Sequence, residues 1–343
     1  MDFRILHQFP TPDLEFLWRD CLTQVECPSH YNAPEYFLVP LWIGKRPFAV
    51  LALDQGKVTG VLTGLHLRHQ VTCGVASRPQ ICVDPTRDVH STLDALVRGL
   101  LLESGTAEIV TVFTWKSLEL PVFEMRGFMR RELEGSVVLD LTQGAETLFQ
   151  QFTKDRRRNI RFAEKNGVEV SLAANHEDIA AAYEVSTAWH RTERKIIKGT
   201  QQSFQIFEKS AVLANRRMFL ARVQGKVVAI NIFRFFPGGL FESASNNSLD
   251  EFLHLKPNDL LQWRGIEWAC SQGLRRHSLG GAHQFLRRFG GTVAPILRYR
   301  LDRTWLRRYE LRESVVDLCR ETVHRMPPGV AKTVRRVLGR ETN

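Results

Sequence analysis

The chain has 343 residues, 43% of them hydrophobic, and carries 47 Lys and Arg against 37 Asp and Glu for a formal charge of +10. That length buries two ordinary cores, and the basic balance favours anionic partners (a nucleotide cofactor, RNA or a phospholipid surface) without choosing among them. No run approaches the roughly 18 to 20 apolar residues of a membrane span, and the six cysteines form neither a CxxC pair nor a zinc-spaced cluster, so a disulfide framework and a metal site are not expected.

In chain order, residues 1–47 are aromatic-rich and punctuated by proline. One helix is expected over 12–21, with Leu14, Phe16, Leu17 and Cys21 toward a core, and 28–40 fits either a helix or a packed loop. From Phe48 the pattern is β: a strand over 49–53, a turn at Asp54-Gln55-Gly56-Lys57, a strand over 58–65 and another near 80–83. A helix over 91–103 ended by Gly105, a strand over 108–113, a short helix near 118–126 and a strand over 136–141 follow. One long amphipathic helix is expected over 146–166, stopped by Gly167, then a strand over 168–172, helices over 176–195 and 204–215, and a loop over 195–202 between them.

The stretch 218–291 is the most strongly patterned. Strands over 218–223 and 227–236 turn at Gln224-Gly225-Lys226, and a third strand covers 240–245. A buried helix over 260–272 is opened by Pro257 or Asn258 and closed by Gly273. A short strand over 275–279, Gly280-Gly281, a basic helix over 283–288 and a last strand over 292–301 complete it.

Gln55-Gly56-Lys57-Val58 matches Gln224-Gly225-Lys226-Val227, and Arg98-Gly99 matches Arg264-Gly265 in the helix that follows. Collinear matches of this kind indicate an internal duplication. The expected division is a first domain over 1–143, a second over 144–303 holding the donor and acceptor site, and a basic helical tail over 304–343. The segment 330–338 has the pattern of a short basic amphipathic helix, which could lie on the protein itself or, through 327–343, make peripheral contact with an anionic membrane, in an otherwise cytoplasmic protein.

A hairpin whose strand ends face a helix N-terminus presents free N–H groups to a phosphate-bearing donor. The fragments Gln224-Gly-Lys-Val-Val-Ala-Ile-Asn-Ile-Phe233, Lys256-Pro-Asn-Asp-Leu-Leu261, Gly280-Gly281, Phe285-Leu-Arg-Arg-Phe-Gly-Gly291 and the run Lys154-x-x-Arg157-Arg158-Asn-Ile-Arg161 followed by Ala163-Glu-Lys-Asn-Gly167 resemble the acyl-CoA N-acyltransferase (GNAT-like) superfamily, in its FemAB-like branch. That branch contains aminoacyl transferases of peptidoglycan bridge formation. The resemblance implies an α/β (α+β) mixed sheet in tandem GNAT-like domains. It also implies transfer of an acetyl or aminoacyl group to an amine acceptor, in cell-envelope or polysaccharide metabolism. Acetyl-CoA, another acyl-CoA or an aminoacyl-tRNA would be the donor, with no tightly bound cofactor. No Gly-x-Ser-x-Gly motif occurs, which agrees with direct attack.

Three clusters are candidates for the chemistry. Lys154, Arg158 and Arg161 share a helical face and suit a diphosphate or a tRNA backbone, although such runs are commonly solvated faces. His190 or Glu193, in a run that also fits a cationic helix end, suits deprotonation of an acceptor amine. In the third cluster, Lys256, Pro257, Asn258, Asp259, Gly280, Gly281 and Arg288 are assigned to donor binding, and Arg287 to stabilising the tetrahedral intermediate. Glu242 is a possible base or a buried paired carboxylate. Ser278 stands where relatives often carry Asp, and Leu286 lies near their Phe-Lys pair. These departures leave open a catalytically degenerate module that binds RNA or an anionic membrane.

Overall fold

Two β-hairpins, each tightened by a Gln-Gly turn, organise the computed structural model, which describes residues 1–40, 45–76, 78–193 and 201–325. The first half comprises β1 (Asp2–Leu6), α1 (Pro12–Gln24), β2 (Arg46–Asp54), β3 (Lys57–Leu67), β4 (Gln70–Val75), β5 (Arg78–Pro79), β6 (Ile81–Val83), α2 (Val89–Ser104), β7 (Ile109–Trp115), α3 (Pro121–Met125) and β8 (Met129–Asp140). Residues 28–40 fold as two 3₁₀ turns, His30–Asn32 and Pro34–Leu38. The second half comprises α4 (Ala145–Gln151), α5 (Lys154–Lys165), β9 (Val168–Leu172), α6 (His176–Glu193), α7 (Gln201–Ala211), β10 (Arg216–Val223), β11 (Lys226–Phe235), β12 (Leu240–Ser248), α8 (Pro257–Ser271), β13 (Arg276–Ser278), α9 (Gln284–Arg287), β14 (Thr292–Asp302) and α10 (Arg308–Arg325).

The repeat is visible in backbone detail. Gln55 and Gly56 sit at φ 48° and 78°, and Gln224 and Gly225 at 50° and 81°, the two consecutive positive φ values of a hairpin turn whose twist matches its strands. Both hairpins shift register at the same place, after Ala52 in one and after Ala221 in the other.

One expected helix is two. The chain leaves helical geometry at Phe152 (φ −64°, ψ 147°) because that side chain turns inward, edge-on to Trp263 and Phe289. The Thr153 amide then donates to the Arg288 carbonyl at 3.1 Å. Burial of one aromatic ring outweighs the local preference for an uninterrupted helix.

Among the described residues the strands form one 14-stranded sheet, twelve of them in the order β1-β2-β3-β4-β7-β14-β8-β13-β12-β11-β10-β9, with β5 paired to β4 and β6 to β3 off this path. The continuous sheet coexists with the duplication because each half lends its last strand to the other. β14 lies beside β7 and sends Leu297 and Tyr299 into the first core. β8 lies beside β13 and sends Val137 and Leu139 into the second. Tyr299 also accepts a bond from the Leu120 amide at 2.9 Å. Fragments cut at the expected boundary, 1–143 and 144–343, each lack the strand that closes their core and keep one that belongs elsewhere. Expressed singly they are therefore expected to be unfolded by circular dichroism, and together to reconstitute a folded complex. A cooperative unfolding transition from 1–143 alone would contradict the exchange.

The expected tail segment, 327–343, and most of the 195–202 loop lie outside the described residues. No helix among the described residues is long and apolar enough to cross a membrane.

Candidate functional site

β12 and β13 run parallel only over Leu240–Glu242 and Arg276–Ser278. On its other side β12 changes register against β11 between Ser243 and Ser245, leaving Ala244 as a bulge. A bulge removes one residue from the ladder and turns its backbone groups toward whatever occupies the gap. Beyond it the chain enters α8, whose N-cap, Lys256, is left-handed (φ 60°) and provides no side-chain cap. The N-terminus of α8 thus keeps the positive end of its dipole, although Pro257 has no N–H and the Asp259 amide donates to the Lys256 carbonyl at 3.2 Å.

The sheet face under α8 is held by a closed polar chain. Asn231 Nδ2 donates to Gln262 Oε1 at 3.1 Å, as does the Ser243 hydroxyl at 3.3 Å. Gln262 Nε2 donates to His277 Nε2 at 2.6 Å, and His277 Nδ1 donates to the Phe241 carbonyl at 3.0 Å. Burial pulls the His277 pKa down to about 4, so the ring is neutral at physiological pH and locks the Gln262 amide in one orientation.

Glu242 faces the opposite side, by the alternation of side chains along β12. It is 1% exposed, and neither carboxylate oxygen has a hydrogen-bond partner. Its cross-strand neighbour is Arg234, whose own neighbour on β10 is Arg216. The phenol oxygen of Tyr31, from the first half, accepts hydrogen bonds from Arg234 and, at 3.4 Å, from Arg78. Three guanidinium groups and one carboxylate are therefore gathered in the interior, and the Nε atoms of Arg78, Arg216 and Arg234 lack partners. Burial and the Arg234 charge depress the Arg216 pKa to about 10. Burial raises that of Glu242, against the opposing charges of Arg78 and Arg234. A buried excess of cations is costly and is relieved by an anion. Arg216 also lines a cavity of about 540 Å³ between α6, α7 and β10. On the other side of the 28–32 segment, a cavity of about 280 Å³ is lined by both halves, including Cys27, Asn32, Trp115, Leu240 and Arg276.

The candidates from sequence divide into distinct places. α5 runs parallel to α8, as the contacts Arg156 to Asp259 and Arg264 to Glu164 require, so both helix N-termini lie at one end. Lys154 and Lys256 are exposed there, and Pro257 and Asn258 begin α8, with Asn258 donating to Ser248 at 3.1 Å. Asp259 is buried and faces Arg156 and Asn159, which makes it an anchor between helices. Arg156 also lies 3.8 Å from the Phe285 ring centre and 4.9 Å from that of Phe289. Arg158 is exposed beside Asp155, and Arg161 covers the Phe149 ring.

Gly280 (φ 86°) donates its amide to Ser136 at 3.1 Å, and Gly281 accepts from the Val137 amide, so the glycine pair is fastened to the exchanged strand β8. Arg287 is engaged by Glu134 and the Ala282 carbonyl, and both it and Arg288 are exposed. His190 donates from Nδ1 to the Ser186 carbonyl of its own helix at 2.6 Å. Glu193 ends α6, and its side chain lies outside the described residues. Ser278 is buried and shares a hydrogen bond with Ser136 at 2.9 Å, and Leu286 belongs to the core.

Sequence reasoning passed over Tyr31, Arg78, Arg216 and Arg234. The readable signal was Arg234: in a strand of apolar residues it stands at the same parity as Ile230 and Ile232, pointing inward.

Residues 150–288 match the model of the Acetyltransferase (GNAT) domain family, and no curated protein matches the chain. Among solved structures it is similar to FemX (TM-score 0.64, 12% identity, covering 87% of this chain and 96% of that one). It is similar to L-PGS from Bacillus licheniformis (0.58, 12%, 98% and 99%). It is also similar to a tandem GNAT protein from the clavulanic acid biosynthesis pathway (0.53, 13%, 89% and 99%). These likenesses show the shared fold.

Proposed function

We propose that this chain, whose residues 150–288 match the GNAT domain family, is a transferase of the FemAB-like type that moves an acyl or aminoacyl group to an amine carried on an anionic acceptor. The observation that carries the reading is Glu242: a buried carboxylate without hydrogen bonds, next to the bulge of β12, with Arg234 across the ladder and the charge of Arg78 acting on it. The donor is an acyl-CoA or an aminoacyl-tRNA. Its phosphates meet the N-termini of α8 and α5 with Lys154, Lys256 and Arg288, and its carbonyl lies at the Ala244 bulge, where a backbone amide supports the oxyanion.

The acceptor enters on the α6 side and its anionic group binds Arg216, Arg234 and Arg78. Glu242 takes one proton from the ammonium, the free amine attacks the carbonyl, and the tetrahedral intermediate expels the thiolate or the tRNA oxygen, which takes up the second proton lost by the attacking nitrogen as the amide forms. A cell-envelope precursor, a saccharide amine and a peptide lysine with a neighbouring anion all fit this description. RNA contact along the Arg158 face and membrane contact through 327–343 belong to the same proposal.

The test is thermal shift with inorganic pyrophosphate, for the wild type and for Arg216→Met. Pyrophosphate is expected to raise the wild-type midpoint by mass action. Removing one uncompensated buried cation is expected to stabilise the free protein by about 1 to 3 kcal/mol while removing the part of the pyrophosphate shift that arises at the Arg216 cluster, the part from the donor-phosphate end of α5 and α8 remaining. A destabilised variant that keeps the full ligand shift would place the anion elsewhere and make Arg216 structural.

A further inference from the structure

Over residues 308–316, α10 is packed inside out. Its inward side is ionic: Glu313 receives both terminal nitrogens of Arg298 at 2.7 Å, Arg300 at 2.7 Å and Arg131 at 3.0 Å, and the first of these, with the burial it survives, holds the Glu313 carboxyl down to about 2. Glu310 pairs with Arg300 at 3.3 Å. Its outward side carries Leu311 and Val315, one turn apart and both more than half exposed. A helix that serves only the fold buries its apolar stripe and exposes its charges; here that order is reversed.

The turn before α10 has the same character. Leu306 and Arg307 are both left-handed, at φ 56° and 47°, a conformation that disfavours side chains other than glycine. Asp302 holds the turn: one oxygen accepts from the amide and hydroxyl of Thr304, the other from the amides of Tyr309 and Glu310. The result is a constructed turn that displays Trp305, 84% exposed, with Leu306 beside it.

We infer that the Trp305 turn and the outward face of α10 form a docking surface for an anionic lipid bilayer. Charge selects this occupant. The chain from 303 to 343 holds ten Lys and Arg against five Asp and Glu, and Arg307, Arg308 and Arg312 are exposed around the apolar residues. A second copy would set these cations against themselves, whereas acidic headgroups neutralise them while the indole and leucines enter the interface. The surface is separate from the residues proposed for acyl transfer, so its failure bears on membrane contact alone and leaves the acyl-transfer reading untouched.

Sedimentation of the full-length chain with vesicles tests it, using phosphatidylcholine alone and with phosphatidylglycerol. The wild type is expected to bind only the anionic vesicles, and less as salt rises. Replacing Trp305→Ala, Leu306→Ser, Leu311→Ser and Val315→Ser together is expected to lower the bound fraction about tenfold or more at an unchanged melting temperature. Should that variant not fold, quenching of tryptophan fluorescence by brominated phosphatidylglycerol is compared between wild type and Trp305→Phe, and the quenched component is expected to vanish in the latter. Unchanged vesicle binding in the four-site variant, equal quenching in Trp305→Phe, or a wild-type dimer in light scattering that the four-site variant abolishes would each overturn the inference.

Discussion

Glu242→Gln is expected to leave the fold intact and to lower the rate of acyl transfer by about a hundredfold to ten-thousandfold, the usual contribution of a positioned general base. Gln keeps the shape of the side chain but cannot accept the proton of the acceptor ammonium. The assay is thiol release from acetyl-CoA in the presence of a panel of amines, with aminoacyl-tRNA as the alternative donor. The drop belongs in kcat, since the arginines proposed to hold the acceptor remain.

Because burial raises the Glu242 pKa above its ordinary value of 4.5, the wild-type rate should climb with pH as this group ionises, and the Gln variant should lose that limb. Stability has the opposite sign. The raised pKa favours the folded state fully below the unfolded value, and that contribution is lost as pH rises from the unfolded toward the folded pKa. Glu242→Gln should therefore become the more stable of the two proteins as pH rises. A variant that is less stable than wild type at neutral pH yet equally active would reduce Glu242 to a structural carboxylate.

Arg156→Ala is expected to destabilise the protein by about 3 to 5 kcal/mol, whereas Arg158→Glu, two positions away, should stay within about 0.5 kcal/mol. Arg156 is 3% exposed and pairs with Asp259, itself 4% exposed, while stacking on Phe285 and Phe289. Its removal leaves a carboxylate stranded between two helices and a gap between two rings. Burial already raises the Asp259 pKa against the pull of Arg156, so the stranded group would take up a proton rather than stay charged. Arg158 faces water beside Asp155, and its replacement should show instead in donor binding. The measurement is urea denaturation of both variants beside wild type. Equal midpoints would show that the buried pair contributes little to holding α5 against α8.

Local signals in the sequence were sufficient for the hairpins, their Gln-Gly turns, α2, α8 and their glycine stops, because turn chemistry and apolar periodicity act over a few residues. They were sufficient, too, for the duplication, since Gln55-Gly56 and Gln224-Gly225 impose the same backbone twice. They also placed Glu242 on a central strand. What they could not convey was pairing between distant residues. The break at Phe152 depends on Trp263 and Phe289. The exchange of β8 and β14 depends on which half offers each strand a partner. Three arginines scattered from 78 to 234, unremarkable one by one, become a site only when the sheet and the Tyr31 segment bring them into one desolvated space around Glu242. In the charged run of α5, periodicity grouped Lys154, Arg158 and Arg161. Tertiary packing separated Arg156 from the rest, because only its side of the helix meets α8, and burial converts one guanidinium from a solvated charge into an anchor.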